Sequence, residues 1–121
     1  MKKLLFTAAG LLVLVGLLLL SLPTILHKAG LHPEYNGPTA ELPEKRALII
    51  TTSHGVLAAP GETEGPATGV MASEFTHPYY TFLDGGMEVD IASITGGEIP
   101  IDPQTLQFMV RSPEDDRYLK D

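Results

Sequence analysis

The chain has 121 residues, enough for one small domain, with a formal net charge of −7 and no cysteine. The missing cysteine excludes disulfides, thiolate chemistry and a lipid-modified lipoprotein anchor within these residues. Setting aside Lys2 and Lys3 leaves six basic against fifteen acidic side chains from His27 onward, a formal net charge of −9, and so acidic a surface argues against nucleic acid and anionic lipid headgroups as partners.

From Leu4 to Leu22 the sequence carries no charge and is almost all Leu, Val, Ala, Gly and Phe; Ile25 and Leu26 extend it past Pro23. About 20 apolar residues in a helix span roughly 30 Å, the hydrocarbon thickness of a bilayer. The run is longer than the apolar core of a signal peptide, and no small-x-small cleavage site follows it. Residues 1–26 therefore read as a single transmembrane anchor, with the membrane as partner through Leu4–Leu26. A buried core helix is the poorer alternative, because the rest of the chain is too small to surround it. Lys2, Lys3 and the amino terminus at one end, against Lys28 close to the other, place the N-terminus in the cytoplasm and the body outside.

Residues 27–44 form a linker with Pro33, Pro38, Pro43, Gly30 and Gly37 and no apolar period, a semi-extended spacer. His27 and His32 fall here as interfacial or linker residues. Arg46–Thr52 is a short, nearly continuous β-branched run, expected as a strand buried on both faces. A long loop follows from Ser53 to Thr68. Gly69–Asp84 has helical spacing, with Met71, Phe75, Pro78 and Phe82 on one face beside Tyr79 and Leu83, and Gly85-Gly86 as its stop. Met87–Ser93 alternates as a second strand. Strand, helix and strand make one βαβ unit with parallel strands. Further on, Ser112, Pro113 and the acids Glu114, Asp115 and Asp116 announce another helix. That helix is cut within about two turns, and two strands with one helix leave both sheet edges open, so the chain is expected to be a truncated piece of a larger domain; the alternative is a disordered tail.

The loop after the first strand lies where open α/β sheets bind ligands. Gly61, Gly65 and Gly69 hint at a phosphate loop, but no G-x-x-x-x-G-K-[ST] or G-x-G-x-x-G pattern is present, and Glu62 and Glu64 would repel phosphate. Glu74 and His77 are spaced as half of a di-iron carboxylate site whose other half is missing; a solvated Glu and a surface His are the simpler reading, and no metal or other cofactor is expected. Pro78 should kink the helix one turn after Glu74. A carboxyl at such a kink, held among apolar neighbours near the end of a strand, would have a raised pKa and could donate a proton.

The segments RALIITTSHG and TGVMASEFTHPYYTFLDGGMEVDIASITGGEIPIDP resemble the N-terminal half of the ThiJ/PfpI family of the class I glutamine amidotransferase-like superfamily, nearest its chaperone/glyoxalase-like branch. The resemblance runs from Lys45 to Pro103. It implies an α/β chain, the N-terminal part of a flavodoxin-like three-layer sandwich, with a partial domain over 45–121. It also implies a nucleophilic cysteine on a strand-to-helix elbow and an acidic residue on the first helix that holds the thiolate, the position of Glu74. Members act on reactive carbonyls or as hydrolases, commonly as homodimers. This chain departs from the family in having no cysteine, so as written it is expected to be inert, with Glu74 as supporting acid and the nucleophile absent. The alternative is a non-catalytic, membrane-anchored interaction module that completes its sheet with a partner.

Overall fold

The computed structural model describes residues 2–121, with side chains from Phe6 onward; Met1, the first residue of the expected anchor, lies outside the described residues. In chain order it has α1 (Lys2–Lys28), β1 (Arg46–Thr51), α2 (Ala72–Asp84), β2 (Glu88–Ser93) and α3 (Pro113–Tyr118). Two compact units divide the chain, one of Met1–Glu34 with Phe108–Val110, the other of Tyr35–Gln107 with Arg111–Asp121.

In the first unit, α1 runs unbroken through Pro23. Its stretch Phe6–Lys28 is long and apolar enough to cross a membrane, and none of its apolar window is buried among the described residues. The helix ends two residues later than the expected anchor. Gly30, at φ 98°, is the left-handed residue that reverses the chain. Its N–H donates to the carbonyl of His27, and the N–H of Leu31 donates to that of Leu26. These two bonds make a Schellman cap, which fixes the direction in which the chain leaves the helix. His32 follows directly. It is buried, and its Nε2–H donates to the carbonyl of Val110 at 2.6 Å.

The second unit is a β–α–β crossover. β1 and β2 pair in parallel from Arg46 opposite Glu88 to Thr51 opposite Ser93. Among the described residues the sheet has only these two strands. Alternation puts Ala47, Ile49, Thr51, Val89, Ile91 and Ser93 on the face toward α2. The opposite face splits along its length. Arg46 bonds Asp90 at 2.7 Å and sits 3.4 Å from Glu88 at one end. Leu48 and Ile50 occupy the other end, 60% and 67% exposed. The expectation of a strand buried on both faces is therefore corrected: β1 is covered on one face only, because the described chain supplies no second layer.

The tightest packing lies between α2 and α3. Ala72, Phe75, Thr76 and Tyr80 of α2 are buried. This face lies one residue along from the expected stripe: Met71 and Leu83 are exposed, and the small and polar Ala72 and Thr76 go inside. Phe75 meets Tyr118 edge-on at 5.5 Å between ring centroids. Ser112 caps α3 through a capping box: its hydroxyl accepts from the N–H of Asp115, and the Asp115 carboxylate accepts from the N–H of Ser112. The expected helix start is thus realised at Ser112, and the tail is ordered against α2.

Candidate functional site

Parallel strands joined by one helix bring the carboxyl ends of β1 and β2 and the first turn of α2 to the same end of the unit. Glu74 stands there, in the first turn of α2. Its side chain is exposed to solvent, so the expected apolar surroundings are absent. Pro78 lies inside the helix, yet α2 is continuous from Ala72 to Asp84. The carbonyl that Pro78 leaves without its i+4 donor belongs to Glu74, an exposed residue.

Hydroxyl groups crowd this end. Thr51 is buried, and its hydroxyl donates across the sheet to the carbonyl of Ala92. The hydroxyl of Ser53 accepts from the N–H of Thr95 at 2.9 Å, tying the loops after the two strands together. The N–H of His54 donates to the hydroxyl of Thr52 at 2.9 Å. The first N–H of α2, that of Ala72, donates to the hydroxyl of Thr105 at 3.0 Å. Thr105 in turn donates to the carbonyl of Asp102 at 2.7 Å. Met71, the residue at the N-cap, contributes no side-chain bond. Thr105 does that work from 33 positions away, a partner no local pattern could reveal.

The glycines of the intervening loop have structural causes. A β-bridge joins Val56 to Ala67 antiparallel, and a second joins Val70 to Ile101 in parallel. A side chain on Gly65 would strike the carbonyl of Leu57, and one on Gly69 would strike the carbonyl of Pro100. Both therefore serve close backbone approach, as Gly does where chains cross. Gly61 has φ 89°, in the turn closed by the Glu62 N–H on the carbonyl of Ala59. The phosphate-loop spacing dissolves into close backbone approach at two positions and a left-handed turn at the third.

His77 lies 3.2 Å from the carboxylate of Glu114 on α3. Among the described residues, no three His, Asp or Glu side chains gather at metal-ligand spacing. A cleft of about 210 Å³ opens between α2 and α3 beside Tyr80, Asp84 and Arg117. It is smaller than the roughly 300 Å³ at which ligand pockets usually begin. Arg117 is already engaged there, bonding both carboxylate oxygens of Asp84 at 3.0 and 2.8 Å and covering the Tyr80 ring at 4.0 Å. Burial, and then the hydrogen bond it donates to Asp121 at 2.6 Å, raise the Tyr80 phenol to about 12. These features hold α3 on α2 and lie about two turns from Glu74.

No family model matches the chain, and no curated protein matches it. A solved structure does: the X-ray structure of Rapid Encystment Protein 24 kDa from Francisella tularensis, at 42% sequence identity and a TM-score of 0.52. The similarity covers 64% of this chain and 32% of that one, so the chain spans about a third of the length of the protein it resembles.

Proposed function

We propose that these residues are the membrane-anchored, N-terminal part of a ThiJ/PfpI-like protein with a flavodoxin-like sandwich, in which Glu74 is the supporting acid and the nucleophilic cysteine comes from residues beyond these. The observation that carries this reading is the position of Glu74, in the first turn of a crossover helix at the carboxyl ends of two parallel strands. The body then stands on the extracytoplasmic side, as the charges flanking the span favour. The similar solved chain is about three times as long as the matched region, which is consistent with further layers that would cover Leu48 and Ile50 and enclose Glu74. In this reading the 121-residue chain by itself lacks the nucleophilic cysteine and is inert, and the longer protein acts on reactive carbonyls or as a hydrolase.

The test is thiol-dependent turnover of a 2-oxoaldehyde and of an activated ester, by this chain and by the protein carrying the residues that follow it in its reading frame. The short chain should match the uncatalysed rate. The longer protein should turn over one substrate, and Glu74→Gln should slow it by about 100-fold, the scale of a positioned proton donor. Undiminished turnover in that variant would remove Glu74 from the mechanism.

A second reading is favoured by the open outer face of β1, with Leu48 and Ile50 bare at its end. In it the chain is a non-catalytic anchored module that completes its sheet with a partner or with a second copy. A reading frame that closes after Asp121, together with capture of one defined partner that Leu48→Asp abolishes, would establish it over the enzyme.

A further inference from the structure

We propose that Phe108 and Met109 form an apolar wedge that enters the lipid interface beside the exit of α1; this rests on the reading of α1 as a membrane anchor. Residues 108–110 lie some eighty positions after that helix, yet they belong to its compact unit and not to the unit of the residues on either side of them. The tie between them is His32, buried, with its Nε2–H on the Val110 carbonyl at 2.6 Å. Lys28 is the last residue of α1, and the Schellman turn at Gly30 reverses the chain immediately, so His32 cannot travel far from the helix end. The hydrocarbon edge falls near that end, and the headgroup layer adds only about 5–8 Å. His32 therefore holds Val110, and the two residues before it, at the level of that layer.

Both of those residues turn outward. Phe108 is 55% exposed and Met109 is 43% exposed, and Leu31, on the turn itself, is 42% exposed. Leu31 follows directly on a helix whose apolar window is wholly uncovered, and His32 beside it holds Val110. An aromatic and a flexible apolar side chain suit the acyl boundary just beneath the headgroups. The patch is too small for a protein partner, since a stable interface buries about 800 Å² on each side. Lipid acyl chains need no such area, and entry through apolar burial does not depend on headgroup charge, which suits so acidic a body.

The chain has no tryptophan, so a single introduced one reports its own surroundings. The full chain carrying Phe108→Trp is reconstituted in phosphatidylcholine vesicles whose acyl chains bear bromine either near the headgroup or near the bilayer centre. Leu17→Trp, in mid-span, is the reference for the anchor. The reference should be quenched best by deep bromine, and Phe108→Trp at least about twofold better by shallow than by deep bromine, as for an interfacial aromatic. Adding His32→Ala should lower the shallow quenching, because the tie to Val110 is lost. A quenched reference with an unquenched, water-exposed Phe108→Trp would overturn the wedge and leave the anchor standing. Emission shifted to the blue without bromine quenching would also overturn it, by showing a protein cover. If neither variant is quenched, both the wedge and the anchor fall. Shallow quenching indifferent to His32→Ala would overturn the role given to His32.

Discussion

The seam between α2 and α3 and the outer face of β1 are two surfaces of one small unit, finished to different degrees. At the seam every buried polar group named above has a partner: Thr76 donates to Asp115 at 2.6 Å, Ser112 and Asp115 cap each other, and Tyr80 donates to Asp121. On the outer face, Leu48 and Ile50 stand in solvent beside a charged cluster of Arg46, Glu88 and Asp90. Buried polar groups without partners are costly, so a finished seam must satisfy them. An exposed apolar side chain carries only a lost gain. The seam is thus a completed contact, and the sheet face leaves apolar surface uncovered among the described residues.

The largest effect should come from cutting the seam at its apolar centre. Phe75 is 3% exposed and is flanked by the rings of Tyr79 and Tyr118 at 5.8 and 5.5 Å. Phe75→Ala should cost about 3–5 kcal/mol, the range for an aromatic removed from a core. Urea unfolding of the full chain in detergent micelles measures it. A loss below about 1 kcal/mol would mean that the seam is not what holds this unit.

Next comes the polar centre. Asp115→Ala removes the acceptor for both the Thr76 hydroxyl and the Ser112 N–H, and with them half of the capping box. Leaving two buried donors unpaired should cost about 3 kcal/mol. Asp115→Asn keeps an acceptor oxygen and should cost about half as much. Hydrogen exchange in α3 locates the damage: protection should fall there by about 100-fold, as 3 kcal/mol implies, while the β1–β2 amides change less.

This contrast also marks what the sequence could reveal. Both strands, α2 and the start of α3 were legible because their signals are local: a β-branched run, helical spacing, and Ser-Pro followed by acids. The split of the outer sheet face was not. The run Ala47–Thr51 looks the same whether a second layer covers it or not, and only the absence of that layer exposes Leu48 and Ile50. Glu74 shows the same limit. Its place on the helix followed from spacing, but the helix starts at Ala72 and not Gly69, which puts it in the first turn, and apolar surroundings depend on elements distant in sequence; here it is exposed. Thr105 and His32 could not be read locally at all, since each acts on a backbone group more than thirty positions away.

Tyr80 offers a smaller, pH-dependent way to test the seam. Its phenol is raised to about 12 from the ordinary 10, first by burial and then by Asp121. A raised value means that the folded chain keeps a proton the unfolded chain gives up sooner. The contribution is therefore fully present below pH 10 and is lost as pH rises from about 10 to about 12. Phenolate absorbance should show Tyr80 ionising only at about pH 12. Tyr80→Phe should remove its share of that alkaline loss, and at neutral pH it should cost about 1 kcal/mol for the lost hydrogen bond.

The smallest effect belongs to the open face and separates it most sharply from the seam. Leu48→Thr and Ile50→Thr place β-branched residues at both positions, so strand preference is retained while apolar surface is removed. In this chain the pair should change stability by less than about 0.5 kcal/mol, because neither side chain is buried to begin with. In a longer protein, or in a complex, that covers the face, the same pair should cost several kcal/mol, on the scale of about 2–5 for losing a buried Leu or Ile. The difference between the two unfolding midpoints is then a direct reading of how much cover β1 receives. A cost of that size in the 121-residue chain alone would show that the face is already covered in solution, by a second copy if the cost rises with protein concentration, and the contrast between the two surfaces would then disappear.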